Sequence, residues 1–457
     1  MFCANRRRHP VTATIFTSVA GAIAVFCMLA AIAGWLAARP VHAAYLALGL
    51  IVLEASHLSL SIHYGIWLYP EDMFFAILAL ACLIRLSLFA SPKTVPLAWW
   101  TIGAVQVVLF AWGNRTFGST AGVDYRVHFY LWVSVSYFCS AQWTEPMVRR
   151  VLNGWIACAS MLCMLAMFRW IFSAIDPVYA QEIMGLDTTG VRFRVVSSSS
   201  ALVIAIGFLI LLFRMLSGRL PPLQRILLPV FLLAVVVLQH RSVWVSLFVG
   251  AVCLVWTRQK EQGSLRAVLA IGLLVLPVVV MFAIPDEGGG VVSSIKGAAG
   301  SAVSTKEGTM VARMGNWQEL LANWSTSKNV VTYLVGKPYG SGFNPQDSED
   351  GQVVMDMVPH NHFVHILYRG GLIALCCTLA LFYQLWTAAV KEARGGRKYW
   401  ASCLVGVSGA LFAYFIPYWA TYACGILIGI AISYLGICKR DTVTVARPVM
   451  ARRFRKS

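Results

Sequence analysis

The chain has 457 residues, 59% of them hydrophobic and only 12% charged, with a mean hydropathy of +0.71 and a formal net charge of +18. A soluble domain covers its surface with roughly a quarter of its residues charged, so these values exclude a water-soluble globular protein and point to a polytopic membrane protein. The basic excess gathers in short connections between apolar runs, where membrane topology accounts for it without a nucleic-acid partner.

Within hydrocarbon a span must satisfy its own backbone hydrogen bonds, so continuous apolar runs of about 20 residues are read as helices. In chain order the runs cover residues 13–37, 43–57, 71–89, 95–113, 125–140, 151–174, 198–214, 222–239, 242–257, 264–284, 362–388, 399–416 and 418–437. The expected fold class is all-α: a polytopic membrane bundle of about 12 helices with one large periplasmic loop containing short helices. The chain divides into N-terminal membrane helices (1–284), the loop (285–361), C-terminal membrane helices (362–438) and a basic cytoplasmic tail (439–457). The first run ends without a clear small-residue cleavage site and is read as an anchor that stays.

Arg85 and Lys93, Arg149 and Arg150, Arg214, Arg219 and Arg225, Arg258 and Arg266, and Lys391 to Lys398 fall in alternate connections. The positive-inside rule puts these, and the C-terminus, in the cytoplasm. Arg6, Arg7 and Arg8 argue the same for the N-terminus, yet an odd number of crossings would separate the termini. The first two runs, divided only by Arg39 and Pro40, are therefore not both expected to span. The remaining connections face outward: 57–70, 114–124, 175–197, the tight turn at Gln239, His240 and Arg241, and the long stretch 285–361. Inside that stretch Val311, Met314, Trp317, Leu320, Leu321 and Trp324 recur at spacings of three and four, the pattern of an amphipathic helix. The cysteines sit mostly inside apolar runs without a CxxC pair and read as core residues.

Arginine is the residue that positive-inside bias depletes from outward connections, yet Arg192, Arg194, Arg241 and Arg313 are all there, with Arg115 and Arg126 near another. Arg241 stands in a turn of about three polar residues between two apolar runs, a costly place for a permanent cation unless it holds an anion. Guanidinium groups converging at a membrane surface suit a diphosphate, which they bind bidentately at any physiological pH. Against this stands the reading in which each arginine reaches back to water or to lipid phosphate.

Residues 359–371, PHNHFVHILYRGG, set three histidines where a polar loop enters an apolar run. His360 precedes a helix start whose amides disfavour imidazolium, and a neutral imidazole can serve as a base; the competing reading is an interfacial histidine bonded to loop carbonyls. His365 lies a turn inside the apolar run and reads as a packing residue. No Cys or carboxylate stands at a useful spacing, so no metal site is assigned and no cofactor is expected.

His360 and Asn361, then Val364 and Leu367, ending in GGLIAL from Gly370, after an outward loop that carries GKPYG at 336–340, resemble the signature region of the bacterial O-antigen ligase and polysaccharide polymerase superfamily. The turn Arg241, Ser242, Val243, Trp244 is similar to that family's arginine between two closely linked helices. The resemblance covers the layout of nearly the whole chain but only about thirty residues of sequence. It implies a metal-independent, inverting transfer of an undecaprenyl-diphosphate-linked glycan to a sugar hydroxyl, on the periplasmic side of the bacterial inner membrane. His360 is then the base, and Arg194 and Arg241, with Arg192 and Arg313, hold the diphosphate. Asn361 and His362 are secondary contacts, and Trp317 and Tyr339 wall the glycan groove or pack the core. Where the family often has a glutamate, this chain has Arg369, a further candidate phosphate contact. The acceptor is a lipid-linked repeat unit in a polymerase, the reading favoured by the VRFRV, HRSVW and PHNHFV stretches, or the lipid A core in a ligase; a chain-length regulator protein is an implied partner. A transporter or flippase of lipid-linked polysaccharide is the alternative of another class, with Glu54, His57 and Arg169 as its only hints.

Overall fold

Apolar runs that cannot leave backbone groups unsatisfied fold here as helices, and their ends are set by local chemistry. The structure, a computed structural model, describes residues 11–56, 62–64, 66–88, 94–175, 195–258, 309–326, 329–343 and 359–437. Within them it is helical apart from one hairpin: α1 (Val11–Ala38), α2 (Pro40–Ala55), β1 (Ile62–Tyr64), β2 (Ile66–Leu68), α3 (Pro70–Leu88), α4 (Leu97–Phe117), α5 (Ser119–Ser140), α6 (Glu145–Ile175), α7 (Ser198–Leu216), α8 (Pro222–Val237), α9 (Arg241–Arg258), α10 (Thr309–Ser325), α11 (Val330–Val335), α12 (His362–Arg394), α13 (Ala401–Phe415) and α14 (Tyr422–Leu435). The strands pair antiparallel, Ile62 opposite Leu68. Each predicted run coincides with one of these helices except 264–284, which lies outside the described residues, as do Arg192, Arg194, the basic tail and much of the 285–361 loop.

The protein is a membrane protein by the length and composition of its helices: α4, α6, α7, α9 and α12 are long and apolar enough to cross. The α1 and α2 pair qualifies as one further span, bent by 112° at its break. Proline explains the break. Pro40 restarts a helix well at its first turn but disfavours helical backbone at the residue before it, and Arg39 is non-helical at φ −129°, ψ 70°. Length and composition thus qualify five or six spans among the described residues, fewer than the apolar runs suggested. Helices α8, α13 and α14 are apolar but shorter, while α3 and α5 carry Glu71 and Asp72, and Asp124 and Arg126, near their first turns.

Side-chain contacts sort the helix termini into two ends. At one end Arg85 of α3 donates to the Leu36 carbonyl at 3.4 Å and to that of Ala37. Arg214 donates to Asn153 and Gln224 at 2.5 and 2.7 Å, Arg258 to Ser217 at 2.9 Å, and Lys398 to the Tyr434 carbonyl at 2.5 Å. The basic connections predicted from sequence therefore meet. The opposite end gathers the start of α7, α9, α12 and α14 with the end of α2 and α13, and it carries the candidate site. Between the ends α7 is buried on all sides, as expected of a helix that is apolar all round. Helices α9 and α13 touch backbone to backbone: a Cβ on Gly250 would lie 2.8 Å from the Gly406 carbonyl oxygen. Such small-residue contacts let membrane helices pack closely.

Helix α12 is broken at Gly371 (φ 63°, ψ −168°). Helix α11 is wedged against the break, so that a Cβ on Gly371 would overlap the Leu334 carbonyl. The Tyr368 carbonyl at the break accepts a bond from the Lys337 amide at 2.8 Å. Segment 330–337 is thereby fastened to the helix that begins beside His360.

Candidate functional site

The start of α12 separates the three histidines. Asn361 caps the helix, its Oδ1 accepting from the amides of Phe363 and Val364 at 2.9 and 3.0 Å. His362 is buried; its amide donates to the Tyr418 carbonyl at 3.2 Å and its Nδ1 accepts from the Ala420 amide at 3.4 Å. It stitches α12 to the turn between α13 and α14. His365 is buried too, with Nε2 3.2 Å from Nε2 of His128 on α5. Among the described residues no three histidine, cysteine or carboxylate side chains converge as a metal site.

His360 is different. It is half-buried, and its ring stacks on Tyr418 and Trp419 at centroid distances of 5.8 and 5.1 Å. Its Nδ1 has no hydrogen-bond partner. Burial first, and then the nearby Arg313 cation, lower its pKa from the ordinary 6.5 and favour the neutral ring. Arg313, on α10, donates to the Pro417 carbonyl at 3.3 Å, which brings the predicted amphipathic helix and its arginine to the same turn.

The start of α9, where Arg241 stands, is linked to this neighbourhood by a chain of contacts that ends at Ser242. The Tyr418 ring lies 5.2 Å from that of Tyr414. The Tyr414 hydroxyl donates to Ser198 Oγ at 3.2 Å, and Ser198 Oγ is 3.1 Å from Ser242 Oγ, the residue after Arg241. The turn that delivers Arg241 as the first residue of α9 depends on Gln239, whose φ of 56° is the sole positive value among the described residues other than glycine. Left-handed backbone is uncommon for such a residue and is maintained only where the surroundings enforce it; Gln239 is fully buried. Arg192 and Arg194 lie outside the described residues; of the predicted set the structure places Arg313 beside His360 and ties the start of α9, where Arg241 stands, to the same end of the bundle through Ser242 and Ser198. It also brings the serines of α7, where Ser197 Oγ caps the helix by accepting from the Ser200 amide at 3.2 Å.

Arg369 corrects an expectation. Rather than a free phosphate contact, it is 1% exposed and paired to Asp124 of α5 at 2.7 Å. It also donates to the Pro338 carbonyl and Ser341 hydroxyl, each at 2.6 Å, and to the Gly342 carbonyl at 3.2 Å. Its guanidinium clamps loop 338–342 to α12 and α5. Asn361 likewise spends its side chain on the cap, and His362 spends its Nδ1 on a backbone amide. Tyr339 forms no groove wall: it is fully buried, its amide donating to the Leu109 carbonyl at 3.4 Å. Trp317 is half-buried on α10. Of the residues that hinted at transport, Arg169 donates to the Val195 carbonyl at 2.6 Å and to that of Ala55, a structural tie from α6 to the end of α2 and to the residues just before α7. Glu54 accepts from the Tyr422 hydroxyl at 3.2 Å, and His57 lies outside the described residues.

Two cavities flank Trp419. The larger, about 480 Å³, opens between the end of α2, the start of α3, α5 and the start of α7. The smaller, about 310 Å³, is lined by Asp124, His128, His362 and His365. Both have Trp419 and Val127 in their walls. Sequence reading missed the α5 contribution, although Asp124 and His128 stand four apart and share a helix face; their partners arrive from α12, far away in the chain. No protein-family model matches the chain, and no curated protein matches it.

Proposed function

We propose that this protein is a metal-independent inverting glycosyltransferase of the O-antigen ligase and polysaccharide polymerase kind, built on about 12 membrane helices in the bacterial inner membrane. Its active site and the 285–361 loop face the periplasm. The carrying observation is His360: a half-buried imidazole with an unpartnered Nδ1, its pKa lowered by burial and by a nearby cation, stacked on Tyr418 and Trp419, which themselves line a cavity of about 480 Å³.

In this reading an acceptor hydroxyl oxygen attacks the anomeric carbon of the donor sugar from the face opposite the diphosphate. The new C–O bond forms as the bond from that carbon to the phosphate oxygen breaks, the lipid diphosphate leaves, and the hydroxyl proton passes to His360. Arg241 and Arg313, with Arg192 and Arg194, stabilise the charge that grows on the leaving group. The donor is an undecaprenyl-diphosphate-linked glycan. A lipid-linked repeat unit is the acceptor in the favoured polymerase reading, with a chain-length regulator as accessory partner; the lipid A core is the acceptor in the ligase reading.

The test is complementation in a cell lacking the native copy. His360→Ala is expected to cut transfer by roughly 10²–10⁴-fold, the usual contribution of a general base, so that lipid-linked intermediates accumulate. Arg241→Lys is expected to lose most activity, because a point charge cannot replace a bidentate fork. Unchanged polymer and lipid-linked pools in His360→Ala would falsify the assignment.

A further inference from the structure

The larger cavity differs in charge from the ground around His360. Among the described residues its charged lining side chains are Glu54, Glu71 and Arg126. Arg126 pairs with Asp72 at 3.0 Å, a carboxylate that does not line the cavity. Two glutamates thus outnumber one arginine among the charged groups of that lining, whereas the charged group acting on His360 is Arg313. The two acids disfavour a diphosphate in the cavity.

Carboxylates only accept hydrogen bonds, so the cavity favours a ligand rich in donors. Glu54 has one oxygen bonded to the Tyr422 hydroxyl, which leaves further lone pairs on both acids. The remaining wall is largely aromatic, with Tyr418, Trp419 and Tyr422 contributing flat apolar faces. Hydroxyls around an edge and C–H bonds on a face describe a pyranose. The volume lies within the ~300–1,000 Å³ of small-ligand clefts, which combine apolar walls with a few convergent polar groups.

We propose that this cavity is the acceptor-sugar subsite: it seats the terminal pyranose of the acceptor, with Glu54 and Glu71 accepting its hydroxyls and Trp419 carrying its ring toward His360. The assignment rests on the glycosyl-transfer reading. It goes to the acceptor because the donor's reacting sugar is joined directly to the diphosphate and must lie among the arginines. The acceptor's reacting end is remote from any phosphate, whether the acceptor is a lipid-linked repeat or a lipid A core.

The experiment uses the full chain in lipid nanodiscs. The donor is lipid-linked repeat unit extracted from the producing cells, and the acceptor is repeat-unit oligosaccharide freed of its lipid diphosphate by mild acid. Glu71→Gln and Glu54→Gln are each expected to raise KM for the oligosaccharide by about tenfold or more, with kcat within about threefold and donor KM unchanged, the signature of lost uniform binding. Glu71→Asp, which keeps the acceptor oxygens, is expected to restore part of the loss. An unchanged acceptor KM in Glu71→Gln, or a rise in donor KM instead, overturns the subsite. Should the wild-type protein form no product from this pair, the polymerase reading fails by itself. The cavity is then judged by equilibrium binding of the fluorescently tagged oligosaccharide: saturable binding weakened by Glu71→Gln keeps a sugar site, and absence of saturable binding overturns it.

Discussion

At the scale of single residues, His360 and His365 both have a buried Nδ1 without a partner, but only His360 sits half-exposed beside a cation. Its neutral form is the reactive one in the proposed chemistry. Burial and Arg313 lower its pKa below 6.5, so the ring stays neutral, and transfer stays active, to more acid pH than an ordinary imidazole would allow. Arg313→Gln removes the repelling charge; the His360 pKa rises, and the acid limb of the pH–rate profile is expected to move upward toward 6.5. The position of that limb, not the height of the profile, is the readout, because Arg313 is also assigned to the diphosphate. A limb that stays in place or moves down would show that Arg313 does not act on the base. Asn361, His362 and Arg369 were visible in the sequence as polar residues at the right place. Their partners were not: a cap depends on local backbone, whereas the Arg369 clamp depends on Asp124, which is contributed by another helix.

At the scale of elements, α12 combines three roles that a hydropathy pattern cannot separate: a capped start, a break at Gly371 and a long apolar stretch. The sequence carried the GG pair but gave no sign that α11 would press into it. Because φ is positive at Gly371 and a Cβ there would strike the Leu334 carbonyl, Gly371→Ala combines backbone strain with displacement of α11. Such strain alone costs about 1–3 kcal/mol. The expected outcome is a lower Tm together with faster proteolytic cleavage of segment 329–343 in the purified protein. Cleavage and Tm both at wild-type values would mean that α11 is not held by the break. Helices α3 and α5 point the same way: their charges lower their standing as simple spans, and Glu71, Asp124 and Arg126 among them line the cavities.

At the scale of the molecule, the two ends of the bundle carry different chemistry. Basic side chains at one end bond helix termini to each other, and the site occupies the other. If the basic end faces the cytoplasm, as the positive-inside rule requires, a cysteine replacing exposed Ser325 is labelled by an impermeant maleimide from outside intact spheroplasts. A cysteine replacing exposed Arg219 is labelled only after the membrane is opened. The reverse pattern would invert the topology and remove the periplasmic site.

The sequence by itself determined the class of solvent, the helices and which connections share a side. Those properties follow from local hydropathy and from charge beside a span, and neither needs a distant partner. Tertiary structure decided which polar residues have capacity left for a ligand. It spent Arg369, His362 and Asn361 on structure and left His360 Nδ1 unpartnered. It also linked Ser242, beside Arg241, to the aromatic shelf through Ser198 and Tyr414 and lined one cavity with both Glu54 and Glu71. Hydrogen-bond capacity is consumed by whichever group the packing brings within about 3 Å, and that neighbour is set by helices far apart in the chain.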